Sequence, residues 1–155
     1  MGTHLNSSVA QSNNGTVEKY CYDDVAANCD TYGGIYTWYE VMNYTTTEGA
    51  QGICPPGWHI PTDSEWCTLE NFVADVSIPC GINDWGDRGI YVGGRLKEAG
   101  YEHWNSPNLG GNNQTGFTGL GGGYFNYGNF LGFGENVMYW TSTQFDQNSY
   151  TYVWA

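Results

Sequence analysis

The chain has 155 residues, a formal net charge of -12 and 40% hydrophobic residues. That length fits one domain with its own core, and the hydrophobic content argues against a disordered acidic tail despite the charge. Only Lys19, Arg88, Arg95 and Lys97 are basic, which counts against nucleic acid and anionic membrane surfaces as partners, since both need a basic footprint.

Along the chain, residues 1–19 are polar and rich in Asn and Ser, and read as a linker or loosely held segment ahead of a single domain over 20–155. The opening MGTHLNSSVAQSNNGT has no apolar h-region. For a secreted protein, Met1 is then not the precursor's natural start, and the chain reads as an excised piece. Five cysteines stand at 21, 29, 54, 67 and 80. No CxxC or Cys/His spacing suggests zinc. The spacings of Cys21 with Cys29 and of Cys67 with Cys80 suit two short-loop disulfides and an oxidising compartment, against the alternative of five free thiols. No apolar run approaches the ~20 residues of a membrane span.

In YGGIYTWYEVM, Ile35, Trp38, Tyr39 and Met42 share helical spacing, with two glycines weakening the first turn. A second helix is expected from about Asp63 to Asp75. Thr62 begins the capping box T-D-S-E with Glu65, and Trp66, Leu69, Phe72 and Val73 follow as its apolar face. Beyond residue 81, turn-rich GINDWGDRG and the short amphipathic GGRLKEAG lead into glycine clusters alternating with short runs, GFTGLGGGYF, VMYWTST and YTYVWA, that read as antiparallel strands. Helices first and strands later, without βαβ alternation, predict an α+β fold.

No GxSxG and no Cys–His pattern marks a nucleophile, and the carboxylate pairs are those any acidic protein supplies, which leaves little for a glycosidase. GLGGGYF is not a nucleotide loop, because no basic residue and no crossover helix follow. Asn83, Asp84 and Asp87 gather oxygen ligands around a glycine turn, a calcium-compatible set without EF-hand spacing. A plain surface turn is the expectation there, calcium the alternative, and no other cofactor is implied. The tail carries the densest feature. Tyr150, Tyr152 and Trp154 alternate as one strand face, whereas YFNYGNFLGFGEN holds too many Gly and Asn for a buried strand and places its rings on a loop or sheet edge. Tyr, Asn and Gly together are paratope-like. The candidate ligand-binding residues are therefore Tyr124, Phe125, Asn126, Tyr127, Asn129, Phe130, Phe133, Tyr139, Gln144, Asp146 and Asn148.

CPPGWHIPTDSEW, from Cys54 to Trp66, resembles the signature of the Fibrobacter succinogenes major paralogous domain, a bacterial extracellular family. YGGIYTWYEVM, GGRLKEAG, HWNSPN, NQTGFTGLGGGY and YWTST extend the likeness over roughly Tyr20 to Ala155. The resemblance implies a C-type-lectin-like fold, similar to formylglycine-generating enzymes and to the targets of diversity-generating retroelements, whose variable segment surrounds a YWTST-like motif. It implies core roles for Trp58 and Trp66, a helix start at Pro61-Thr62 and a turn at Gly57. Family members continue into a last strand ending in Cys, so Cys54 is expected unpaired here, beside an open strand edge that the rest of the polypeptide or a neighbouring subunit would fill. The active-site cysteines of the formylglycine type have no counterpart. The expected function is a secreted or cell-surface, non-enzymatic module binding a protein or glycan. A surface-fibre or envelope component is the alternative, and a formylglycine-generating-type oxidase a distant one.

Overall fold

The computed structural model describes residues 1–78, 88–89, 91–146 and 149–154, with 145–146 and 149–154 described by backbone alone. Strands β1 (Thr3–His4) and β2 (Glu18–Lys19) pair in parallel. A 3-10 turn (Tyr22–Asp24) precedes helices α1 (Ala26–Tyr32), α2 (Trp38–Val41), α3 (Asp63–Val73) and α4 (Val92–Leu96). Two antiparallel pairs follow, β3 (Gly122–Asn126) with β4 (Asn129–Phe133), and β5 (Met138–Asp146) with β6 (Ser149–Trp154). Helices and antiparallel pairs segregated along the chain make the fold α+β. The segment carrying Asn83, Asp84 and Asp87 lies outside the described residues, as does Asn148.

Helix α3 starts as its capping box dictates. The Thr62 hydroxyl accepts from the Glu65 N–H at 3.2 Å, and the Glu65 carboxylate accepts from the Thr62 N–H at 2.8 Å. Its buried stripe is Trp66, Cys67, Glu70 and Val73, with Leu69 on the flank. Phe72, expected inside, is 74% exposed, because at 100° per residue it falls opposite that stripe. The buried place belongs to Glu70, held with Asp63 by Arg88. The guanidinium lies 2.8 Å from Asp63 Oδ1 and 2.8 Å from Glu70 Oε2. The latter contact is ionic, since Glu70 Oε2 accepts no directed hydrogen bond.

The expected helix through Ile35 is shorter than its apolar spacing implies. Gly33, at φ 83, ends α1, and Ile35 instead bridges Tyr20 in antiparallel fashion. Only Trp38–Val41 is helical, burying Trp38 and Met42 one turn apart and leaving Tyr39 at the surface. Trp58 is 71% exposed, a correction to its expected core role, whereas Gly57 does turn the chain at φ 87.

Among the described residues, two apolar clusters form the core. One joins α3 and α4 through Trp66, Val73, Ile78, Val92 and Leu96; the other joins Trp38, Met42 and Ile60. Strand β5 divides them. Successive side chains of a strand point to opposite faces, so Tyr139 packs on the first cluster and Trp140 on the second. Thr141, Ser142 and Thr143 then run buried and stitch β5 to the preceding loops. Thr141 O accepts from Trp38 Nε1 at 2.8 Å, Ser142 N–H donates to Pro61 O at 2.8 Å, and Thr143 Oγ1 accepts from Asp63 N–H at 2.9 Å while donating to Glu48.

Residues 1–19, read from sequence as a linker or loosely held segment, carry β1, β2 and a set of polar ties. Glu40, buried on α2, accepts from the Glu18 N–H at 2.7 Å, and Glu18 in turn accepts from Ser12 and Asn14. Gly94 of α4 meets the backbone of Gly110 so closely that a Cβ at Gly94 would stand 2.9 Å from it. This contact lets residues 112–119 hydrogen-bond along α4 and explains the second glycine of GGRLKEAG.

The Cys21–Cys29 disulfide is formed, with Cα atoms 5.0 Å apart. Cys67 is also disulfide-bonded and fully buried, and Cys80, its expected partner, lies outside the described residues. Cys54 is a free thiol against the second cluster, its pKa raised by burial.

Candidate functional site

Residues 124–136, their rings expected on a loop or sheet edge, lie largely in a tight hairpin of β3 and β4. Asn126 pairs with Asn129, leaving Tyr127 and Gly128 as a two-residue turn with both φ values positive, 46 and 80. That is the primed turn whose twist matches antiparallel strands. It lifts Tyr127 to 96% exposure, flanked by exposed Asn126 and Asn129.

Behind the tip, rings pack against a floor while Phe133 stays partly exposed. Phe125 and Phe130 are cross-strand partners with centroids 4.9 Å apart. Phe125 packs on Tyr20 at 4.7 Å, Phe130 on Tyr22 at 5.2 Å, and Phe133 on Tyr22 and Tyr32 at 4.6 and 4.9 Å. These separations lie within the range of favourable aromatic pairs. The hairpin is thus an outward tip on an aromatic floor supplied by the segment around Cys21–Cys29. The floor residues Tyr20, Tyr22 and Tyr32 are missing from the sequence-derived site set. Their trace in the sequence is the tyrosine pair around Cys21, apparent only once the hairpin is seen to need a floor.

The remaining candidates part company. Tyr139 is half-buried, stacked on Trp66 at 5.5 Å, and burial pushes its pKa up to about 12. Tyr124 and Gln144 are half-buried; Asp146 lies at the end of β5, paired with Ser149. The structure therefore gathers Tyr124, Phe125, Asn126, Tyr127, Asn129, Phe130 and Phe133 on one hairpin, and sets Tyr139, Gln144 and Asp146 on another strand.

Among the described residues, a cleft and a second hollow adjoin the hairpin. A cleft of 270 Å³ has Tyr20, Tyr36, Tyr39, Phe125 and Trp140 in its walls. Several of their polar ends are already engaged. Tyr20 Oη donates to Val9 O at 2.8 Å, Tyr36 Oη to Met1 O at 2.7 Å, and Trp140 Nε1 to Tyr36 O at 2.8 Å. What these side chains offer a visitor is ring faces. A second hollow of 320 Å³ lies between β3, the start of β5, residues 33–36 and Trp66, and none of the described residues lining it is charged. Burial raises the Tyr36 hydroxyl, and burial with neighbouring Asp23 raises that of Tyr22, so both stay neutral at physiological pH.

Glu98, Glu102 and His103 bring three ligand-type atoms within 4.8 Å of one another, a grouping that the scattered histidines of the sequence do not announce. His103 Nδ1 already lies 2.9 Å from the Glu98 carboxylate, and its ring meets Tyr32 edge-on at 5.5 Å. The arrangement is a histidine–carboxylate contact with a third, exposed carboxylate beside it.

Fold and site together define an α+β domain with a disulfide beneath an aromatic hairpin face; among the described residues no helix is long and apolar enough to cross a membrane. The family model of the Fibrobacter succinogenes major domain matches residues 3–154, and the chain belongs to that family. No curated protein and no solved structure gives a significant match.

Proposed function

We propose that this domain is an extracellular recognition module of C-type-lectin-like build, which presents the β3–β4 hairpin and the adjoining aromatic cleft to a protein or glycan. The observation that carries the reading is Tyr127, held almost fully exposed between two exposed asparagines on a hairpin whose inner rings are braced from below. A rigid aromatic anchor flanked by adaptable amides is the composition of a binding surface, and bracing lowers the ordering cost of binding. Binding rather than turnover fits a face of rings and amides. The Cys21–Cys29 bond fits secretion, and the net charge of -12 favours the approach of cationic over anionic partners.

The test is a glycan and protein array probed with the wild type and with Tyr127→Asn. A hit lost in the variant at unchanged melting temperature supports the reading; a hit retained at full strength overturns the assignment of the tip. A second reading, a surface-assembly component, is favoured by Phe72 and Val76, 74% and 73% exposed on and just beyond α3. Concentration-dependent association abolished by Phe72→Glu would support it.

A further inference from the structure

The 320 Å³ hollow behind the hairpin holds a feature that surface recognition does not use. Trp66 lines it and is 6% exposed, yet its indole N–H has no hydrogen-bond acceptor. Buried polar groups are almost always paired, because an unpaired one costs its full desolvation. The same ring is fixed on two sides, stacked on Tyr139 at 5.5 Å and edge-on to Phe117 at 5.6 Å, so the donor is held in place rather than free to seek a partner. Protein interiors also seldom leave spaces larger than a water molecule, and this volume lies at the lower end of the range for small-molecule pockets.

The wall chemistry narrows the ligand. Tyr22, Tyr32, Tyr36, Tyr139 and Trp140 supply ring faces, and no charged side chain appears among the described lining residues. An anion would have to shed its hydration inside an apolar wall of a protein carrying -12. A cation would suit the rings but would meet an N–H donor at Trp66. A sugar would bury several hydroxyls, each requiring its own partner. A flat, neutral molecule with one acceptor satisfies the rings and the indole together.

We infer that this hollow is a binding site for a neutral aromatic compound bearing a carbonyl acceptor, with Trp66 Nε1–H donating to that carbonyl. The site is separate from the hairpin tip and does not depend on what the tip recognises.

Three probes test it on the full chain by ligand-observed NMR and calorimetry: acetophenone, ethylbenzene, which keeps the shape without the acceptor, and benzoate, which carries a charge. Acetophenone is expected to bind about fivefold more tightly than ethylbenzene, the fold-change of one net hydrogen bond, and benzoate not at all. Trp66→Phe keeps a ring and removes the donor, and should bring acetophenone and ethylbenzene to equal affinity. Val137→Trp, which fills the hollow from its wall, should abolish both, with the near-ultraviolet circular dichroism spectrum reporting that each variant stays folded. Equal binding of the two neutral probes by the wild type would overturn the inference. So would a preference for acetophenone that survives Trp66→Phe, or no binding of either. Tyr127→Asn should leave all three affinities unchanged, which separates this site from the surface one.

Discussion

The β3–β4 hairpin and strand β5 share a vocabulary of aromatics and small polar residues, yet the molecule uses them in opposite ways. On β5 every described residue from Tyr139 to Thr143 is engaged. Two rings enter two cores, and the three residues after them are buried with hydroxyl and backbone groups bonded to α2, to Pro61 and to Asp63. On the hairpin Phe125, Phe130 and Phe133 pack on the floor, Tyr124 is half-buried and Tyr127 points outward. The exposed turn amides keep only a local tie, Asn129 Nδ2 donating to Tyr127 O at 3.0 Å. Composition sets which contacts a segment can make, and its neighbours decide which are already taken. A polar side chain locked into a buried partnership is structure; one at an exposed turn keeps donors and acceptors for recognition.

If that contrast is right, damage to the polar stitching around β5 should cost stability, and damage to the hairpin tip should not. The largest loss is expected for Arg88→Met. Without the guanidinium, Asp63 and Glu70 remain buried side by side with no counter-charge. Removing one partner of such a group costs ~3–5 kcal/mol. A urea midpoint lowered by the equivalent of less than ~1 kcal/mol would show that the pair is solvated after all. Thr143→Val comes next, at ~1–3 kcal/mol, because it strips the Asp63 N–H of its acceptor and Glu48 of its donor while nearly preserving volume. A neutral result would mean that the buried hydroxyls of YWTST are dispensable to the fold.

Part of this division is legible in the sequence. The α3 start follows from Thr62 and Glu65 alone, since a capping box is a local contract between residues three apart. The α+β class and the antiparallel character of the tail follow from the order and spacing of short runs. Burial is less readable. Phe72 and Trp58 look like core by type, but Phe72 sits on the solvent side of α3 and Trp58 on an exposed turn, while Glu70 is inside because Arg88 reaches it from 18 residues away in the chain. Spacing arguments cannot see a charge delivered by tertiary contact. The inward rings of the hairpin are concealed for the same reason, as their floor comes from Tyr20, Tyr22 and Tyr32, far upstream in the sequence.

The Arg88 group also carries a pH signature. Burial pushes the Glu70 carboxyl above its ordinary range, with Arg88 only partly pulling it back. A carboxylate with a raised folded pKa binds its proton more tightly in the native state. Stability therefore falls as pH rises from the ordinary carboxylate range through the raised value, and the cost persists above it. Glu70→Gln mimics the protonated form and removes that cost. The variant should match or exceed the wild type in urea at neutral pH, with the gap closing as the pH falls below the ordinary carboxylate range. A gap that widens on acidification would reverse the sign and show that the ion pair, not desolvation, governs Glu70.

The smallest effects are expected at the hairpin tip, and they separate backbone from side chain. Gly128 has open space where a Cβ would sit, so Gly128→Ala meets no clash; its only penalty is the positive φ of 80. That should cost ~1 kcal/mol, the strain of a left-handed position on a residue with a Cβ. Tyr127 also sits at positive φ, 46, where asparagine is favoured over tyrosine. Its ring, 96% exposed, has little contact to lose. Tyr127→Asn should therefore leave the urea midpoint within ~0.5 kcal/mol of the wild type, or raise it slightly. A tyrosine that strains its turn and adds little to the fold is what the proposed binding role would account for, and the array experiment measures that role directly. A marked loss of stability in Tyr127→Asn would instead make the ring part of the hairpin's own packing, and would erase the contrast with β5 from which the binding face is inferred.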